Sequence, residues 1–265
     1  MTASSLQTIP ASVYWLLLLF IAFYGASAMR YLRKAEWKRR SFQALGENLV
    51  FQYYRYQSDL ENSGFALPPL LYPRGRRKPI PTFLTPRYQN ILKGSKNGLD
   101  ILLLELPYPR EDGITETRAL FGMKGANLPY FELVPLRLFN KFHRLLELDI
   151  KEMFSGPKVK SMEITGLGEF RRSRHHLWGE TGQEERFKDL FPREFLEYLL
   201  RFPNWRIKGQ GDWIIVFEEN ISVPPEQLRE FFNRTFQSAS LLFQPRVQQD
   251  NALTAPPTEL AGLKR

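Results

Sequence analysis

The sequence predicts an α+β protein, with an N-terminal single transmembrane helix followed by an antiparallel sheet packed with three to four helices. Three observations predict it. No charged side chain precedes Arg30, and Val13 to Tyr24 is an unbroken apolar and aromatic run. Around Asn97-Gly98 and again around Gly209-Gln210-Gly211, short strand-like runs rich in apolar residues flank tight-turn residues. Leu136 to Leu148, Glu184 to Phe202 and Leu228 to Leu242 instead space their apolar residues for one face of a helix.

The 265 residues leave room for one ordinary domain plus appendages. With 21 Phe, 11 Tyr and 5 Trp a core is affordable, which excludes wholesale disorder. The absence of Cys removes disulfides, thiolate nucleophiles, iron-sulfur clusters and Cys-based zinc sites from consideration.

Residues 12–29 are read as the transmembrane helix; as helix they span about 27 Å, close to the hydrocarbon thickness of a bilayer. Tyr14, Trp15 and Tyr24 suit the two interfaces. The next stretch holds Arg30, Arg33, Lys34, Lys38, Arg39 and Arg40 against Glu36 alone. The positive-inside rule therefore puts residues 1–11 outside and the C-terminal bulk in the cytoplasm, at the inner membrane if the cell is bacterial. The rival reading is a cleaved signal peptide, since Ala26-Ser27-Ala28 has the small-x-small form of a cleavage site. Against it stand the missing basic residues before the apolar run and the dense cluster directly after it.

Residues 30–93 contain 13 basic and 4 acidic side chains, so the formal +9 of the chain belongs to the region next to the bilayer and residues 94–265 are neutral. No nucleic acid is expected as a partner, because a nucleic-acid reader carries its positive patch on the folded domain. An anionic lipid surface fits the distribution, each Lys or Arg near it contributing about 1 kcal/mol. The expected membrane-surface contacts are Arg30, Arg33, Lys34, Lys38, Arg39 and Arg40, with Arg74, Arg76, Arg77 and Lys78 further on; the alternative is that such residues only set topology.

Leu32, Ala35, Phe42, Leu45 and Leu49 give residues 30–49 the spacing of a basic amphipathic helix. Residues 50–86 read as an aromatic and then Pro/Arg-rich linker: six prolines lie between Pro68 and Pro86, with Arg74 to Lys78 among them. A stiff spacer and a ligand for an aromatic-grooved domain are both compatible with that composition.

The α+β domain is assigned to residues 87–243. Asn97-Gly98 predicts a hairpin with a type I′ turn, and Tyr88 to Val134 reads as an antiparallel meander with a further turn at Glu111-Asp112-Gly113. A helix over Leu136 to Leu148 follows, then an alternating stretch at Lys158 to Thr165 and helical segments at Glu184 to Leu190 and Arg193 to Phe202, parted at Pro192. Trp205 to Lys208 and Asp212 to Glu218 form a second hairpin around the glycines; both faces of the latter strand are apolar, which makes it central. The last helix begins at Ser222 or Val223 with Pro224-Pro225-Glu226 in its first turn, and residues 244–265 read as a disordered tail.

No phosphate-cradling glycine loop, H-E-x-x-H, G-x-S-x-G or EF-hand pattern occurs, and Gly166-Leu167-Gly168 lacks the rest of a dinucleotide fingerprint. No catalytic, cofactor-binding or metal-binding residues and no cofactor are assigned. Adjacent His175 and His176 in an extended segment point to opposite faces and cannot share a metal. A possible anion contact is the cluster Arg171, Arg172, Arg174, His175 and His176; a solvated strand face is the other reading. Asp212 before Trp213 is either a carboxylate in an aromatic pocket or a cap on backbone amides.

The strings NGLDILLLELPY, LPYFELVP, EFRRSRHHLWGETGQEERFKDLFPREFLEYL and GDWIIVFEENISVPPEQL, within residues 88–243, resemble a bacterial family of small membrane-anchored proteins with a cytoplasmic α+β domain and no known activity. The resemblance implies a shared fold and brings no catalytic residues. The expectation is a cytoplasm-facing interaction or assembly module with an unknown protein partner. The alternatives are a membrane-bound enzyme without a recognisable motif, or anionic lipid or nucleotide binding through the basic strand face.

Overall fold

The first helix, α1, runs unbroken from Ala11 to Leu49, about 58 Å of helix, so the segments expected to be transmembrane and juxtamembrane are one rod. The structure is a computed structural model, which describes residues 11–71, 88–107, 115–135, 159–162, 175–188, 190–219 and 221–254. The N-terminal part of α1 is long and apolar enough to cross a membrane, and its side chains from Tyr14 to Tyr24 are exposed. Further along, Phe42 and Leu45 are buried in the domain core while Leu32 and Ala35 stay exposed. Half of the expected amphipathic face is thus packed against protein, each buried side chain contributing about 2 kcal/mol.

The rod ends in a Schellman turn. Val50 sits in the left-handed region at φ 59°, the Phe51 N–H donates to the Gly46 carbonyl at 2.8 Å, and the Val50 N–H donates to the Glu47 carbonyl at 3.3 Å. This reversal feeds Phe51 back under the helix, edge-on to Phe232 with ring centroids 5.9 Å apart.

Among the described residues nine strands form one sheet: β1 (Gln52–Tyr56), β2 (Gln89–Lys96), β3 (Leu99–Pro107), β4 (Thr115–Gly122), β5 (Leu128–Pro135), β6 (Val159–Met162), β7 (His175–Glu180), β8 (Trp205–Gly211) and β9 (Trp213–Glu218). Their order is β1-β2-β3-β4-β9-β8-β5-β7-β6, antiparallel throughout. The remaining helices among the described residues are α2 (Gln57–Asn62), α3 (Glu184–Lys188), α4 (Arg193–Leu199) and α5 (Leu228–Thr254), with short 3-10 turns at Pro69–Leu71 and Pro225–Gln227. The larger core lies on one face of the sheet, where Phe42, Phe195, Phe232 and Phe243 meet Leu92, Leu103, Phe121 and Val216. On the opposite face Leu60, Leu67, Leu71 and Tyr88 cover Leu102, Leu104, Leu120, Ile215 and Phe217.

The α+β class stands, and several sequence expectations are corrected. Residues 50–71 are part of the domain: β1 pairs with β2, and Phe51, Leu60, Leu67 and Leu71 are buried. The aromatic alternation of this stretch is strand packing, which its position before the prolines disguised; residues 72–87, including the basic Arg74 to Lys78 cluster, lie outside the described residues. The meander stops at β4, because β9 takes the position beside β4 and β5 pairs with β7 and β8 instead. The glycines at 209 and 211 lie inside β8, whose hairpin turns at Asp212 between the paired Gln210 and Trp213. The last helix continues past residue 244 to Thr254. The expected helix over 136–148 and the turn at 111–113 lie outside the described residues.

Other expectations are met. Asn97 and Gly98 have φ of 52° and 78°, the positive pair that a type I′ turn requires. β9 is the fifth strand of the sheet, with Ile214 and Val216 buried on one face and Ile215 and Phe217 on the other. Asp212 acts as a cap, accepting the Asn127 N–H at 3.2 Å.

Candidate functional site at the helix–sheet cleft

Where α1 first touches the sheet, a cleft of about 850 Å³ opens between the helix and the ends of β1 to β4, lined by Tyr31, Lys34, Lys38, Arg55, Glu105 and Ser222 among others. Its geometry follows from three local features of the chain. Lys38 lies one turn before Phe42 on α1 and so points to the same side, toward the sheet. Glu105 stands in β3 at the same parity as Ile101 and Leu103, which puts a carboxylate on the face that packs against α1. In β2 a bulge between Gln89 and Leu92 carries Asn90 at φ 48°, a conformation asparagine tolerates, and aims its amide at Glu105.

These side chains form one chain of contacts. The Tyr53 hydroxyl donates to Asn90 Oδ1 at 2.8 Å, and Asn90 Nδ2 donates to Glu105 Oε2 at 2.7 Å. Glu105 Oε1 pairs with the Lys38 ammonium, which also donates to Ser222 Oγ and, at 3.4 Å, to Thr115 Oγ1. Thr115 in turn donates to Ser222 at 2.8 Å. Ser222 is held in place because the adjacent Val223 N–H donates to Thr117 Oγ1 at 3.0 Å. Burial pushes the Tyr53 phenol up to about 12, outweighing the downward pull of Arg39 and Arg55, so it stays a neutral donor.

The basic cluster of the juxtamembrane helix is therefore divided. Arg30, Arg33 and Lys34 are exposed on the stretch of α1 between the apolar segment and the domain. Arg39 and Arg40 both bond Glu36, at 2.6 to 2.9 Å, and these hydrogen bonds hold the Glu36 carboxyl at about 2. Lys38 is only 8% exposed and is corrected from a membrane-surface contact to a structural tie, since its charge is matched by a buried carboxylate. His175 is likewise corrected: it is buried, with Nε2 2.9 Å from the Trp205 carbonyl, and does not face an external anion. His176 lies on the other face of β7, half-buried, as adjacent strand residues must. Arg171, Arg172 and Arg174 lie outside the described residues.

The sequence reading missed Glu105, Asn90, Tyr53, Arg55, Thr115 and Ser222. Glu105 left a signal: a lone carboxylate in the run ILLLELPY, at an inward parity, has to meet a cation or a donor.

No protein-family model matches the chain, and no curated protein matches its sequence. Among solved structures, the chain is similar to the crystal structure of the mycobacterial trehalose monomycolate transport factor A, TtfA. The identity is 9%, the match covers 77% of this chain and 91% of that one, and the TM-score is 0.47.

Proposed function

We propose that this chain is a single-pass membrane protein whose α+β domain faces the cytoplasm and docks a protein partner at a fixed position and orientation relative to the bilayer. The observation that carries the reading is the continuity of α1 from an apolar membrane-length segment into the domain core, fastened there by Phe42, Leu45 and the Lys38 tie. Met29 and Lys38 are nine residues apart, so the domain begins about 14 Å beyond the apolar segment, with no intervening flexible tether. The exposed Arg30, Arg33 and Lys34 in that interval favour the cytoplasmic side by the positive-inside rule.

A rigid rod makes docking depend on helical phase, which supplies the test. A photoreactive residue at exposed Ser58 of α2, in the full chain in its native membrane, should give discrete cross-linked species. Inserting two alanines after Arg33 turns the domain about 200° about the helix axis and should abolish them, whereas four alanines, a little over one turn, should restore them. A reporter fused at Arg265 should be protected from protease added outside intact cells. Adducts indifferent to the insertions would overturn the docking reading, and external cleavage of the reporter would reverse the orientation.

A further inference from the structure

We infer that the cleft between α1 and β1 binds the phosphate-bearing headgroup of an anionic phospholipid; this rests on the membrane-spanning reading of α1 and adds a ligand to it. The charge balance of the cleft points there. Its lining contains four cations, Lys34, Lys38, Arg39 and Arg55, and two carboxylates, Glu36 and Glu105. Glu105 is taken by Lys38 and Glu36 by Arg39, which leaves Lys34 and Arg55, both exposed and with no carboxylate partner among the described residues. Arg55 is held over the Tyr56 ring, its guanidinium 5.1 Å from the centroid, which orients it without neutralising it. Two unmatched cations thus line one cleft from different elements, one on the helix and one on the edge strand, and the proposed clamp is their joint hold on one phosphodiester.

Depth agrees with charge. The helix wall of the lining runs from Tyr31, two residues past Met29, to Arg39, about 3 to 15 Å beyond the apolar segment, with Lys34 at about 7.5 Å. Each headgroup layer of a bilayer is about 5 to 7 Å thick, which brings Lys34 to the level of the lipid headgroups. Leu32 and Ala35 on the same wall offer apolar contact to the start of an acyl chain, and Gln89 supplies a polar group for headgroup hydroxyls. Exposed basic residues on the same helix, Arg30 and Arg33, are absent from this lining, so the clamp differs from the diffuse attraction of the basic cluster.

The experiment uses the full chain in nanodiscs of phosphatidylcholine mixed with phosphatidylglycerol, released gently and weighed by native mass spectrometry. The parent should retain one phosphatidylglycerol per chain in preference to phosphatidylcholine. Lys34→Gln with Arg55→Gln should reduce that retention about tenfold or more, since each charge-assisted hydrogen bond lost is a large fraction of such a factor. Arg30→Gln with Arg33→Gln, equal in charge removed, should leave retention within about twofold; an equal loss in both double variants means diffuse attraction and overturns the site. Inorganic phosphate or glycerol 3-phosphate that displaces the lipid at low millimolar concentration would show that the clamp reads free phosphate, which also overturns the lipid assignment. Resistance of every variant to alkaline extraction reports membrane spanning separately, so loss of lipid selectivity with extraction resistance intact defeats the headgroup site alone.

Discussion

Lys38 on the long N-terminal helix and Glu105 in the third strand, 67 residues apart in sequence, form a buried ion pair with side-chain exposures of 9% and 1%. The pair fixes the rod to the sheet at the point nearest the apolar segment of α1, while Phe42 and Leu45 supply apolar burial further along. Breaking one side of such a pair leaves an uncompensated buried charge, at a cost of about 3–5 kcal/mol, whereas replacing both sides by apolar residues is often near neutral. Lys38→Met and Glu105→Leu singly are therefore expected to destabilise the domain by that order. The double variant should recover most of the loss, as measured by urea unfolding in detergent. Additive losses would show that the two residues are not coupled.

The boundary of the folded unit follows from the same packing. A chain beginning at Arg87 lacks β1 and the buried Phe42, Leu45, Phe51, Leu60, Leu67 and Leu71, leaving both faces of β2 and β3 uncovered. It is expected to aggregate. A chain beginning at Arg30 retains all of these and should be soluble and monomeric by size-exclusion chromatography.

Two glycines in the sheet are sites of close approach. The Phe51 ring lies where a side chain on Gly94 would begin, and the Phe131 ring does the same at Gly209. Any Cβ there forces an aromatic ring out of the core. Gly94→Ala and Gly209→Ala should each cost about 1–3 kcal/mol of stability; at the Gly64 turn nothing approaches, and its φ of 82° alone makes alanine strained there. The comparison is made by denaturant midpoints at constant m.

Acid sensitivity is expected from Glu132. Burial pushes its carboxyl up, but Lys208 and Arg206 outweigh this and hold it below its ordinary value of 4.5. A lowered folded pKa means the unfolded chain takes up the proton first. The contribution is complete above about pH 4.5 and is lost as pH falls through the folded value. Glu132→Gln should flatten the acid limb of stability against pH; an unchanged slope would remove Glu132 from that limb.

Much of the fold was legible because local signals and tertiary packing agree. Asn97-Gly98 announces its hairpin through backbone sterics alone, and the two apolar faces of Trp213 to Glu218 announce a central strand. Strand order was not legible, since β9 inserts beside β4 through contacts about 95 residues apart in sequence that no local period encodes. The division of the basic cluster was hidden for a related reason. Lys38 and Arg40 look alike in the sequence, and only the helical phase set by Phe42 decides that one meets Glu105 while the other stays in solvent. Arg55 escaped notice because its stretch reads as linker when the pairing of β1 with β2 is unknown.

The central claim is that the membrane helix and the domain are one rigid body, and its most direct test is a distance. The chain has no native cysteine, so spin labels can be placed at Arg33→Cys on α1 and Asn97→Cys at the far hairpin without background. Double electron–electron resonance on the full chain in lipid vesicles should give a single narrow distance distribution, which Lys38→Met broadens. A broad distribution in the parent, unchanged by that substitution, would mean the domain swings on a tether and would contradict the account.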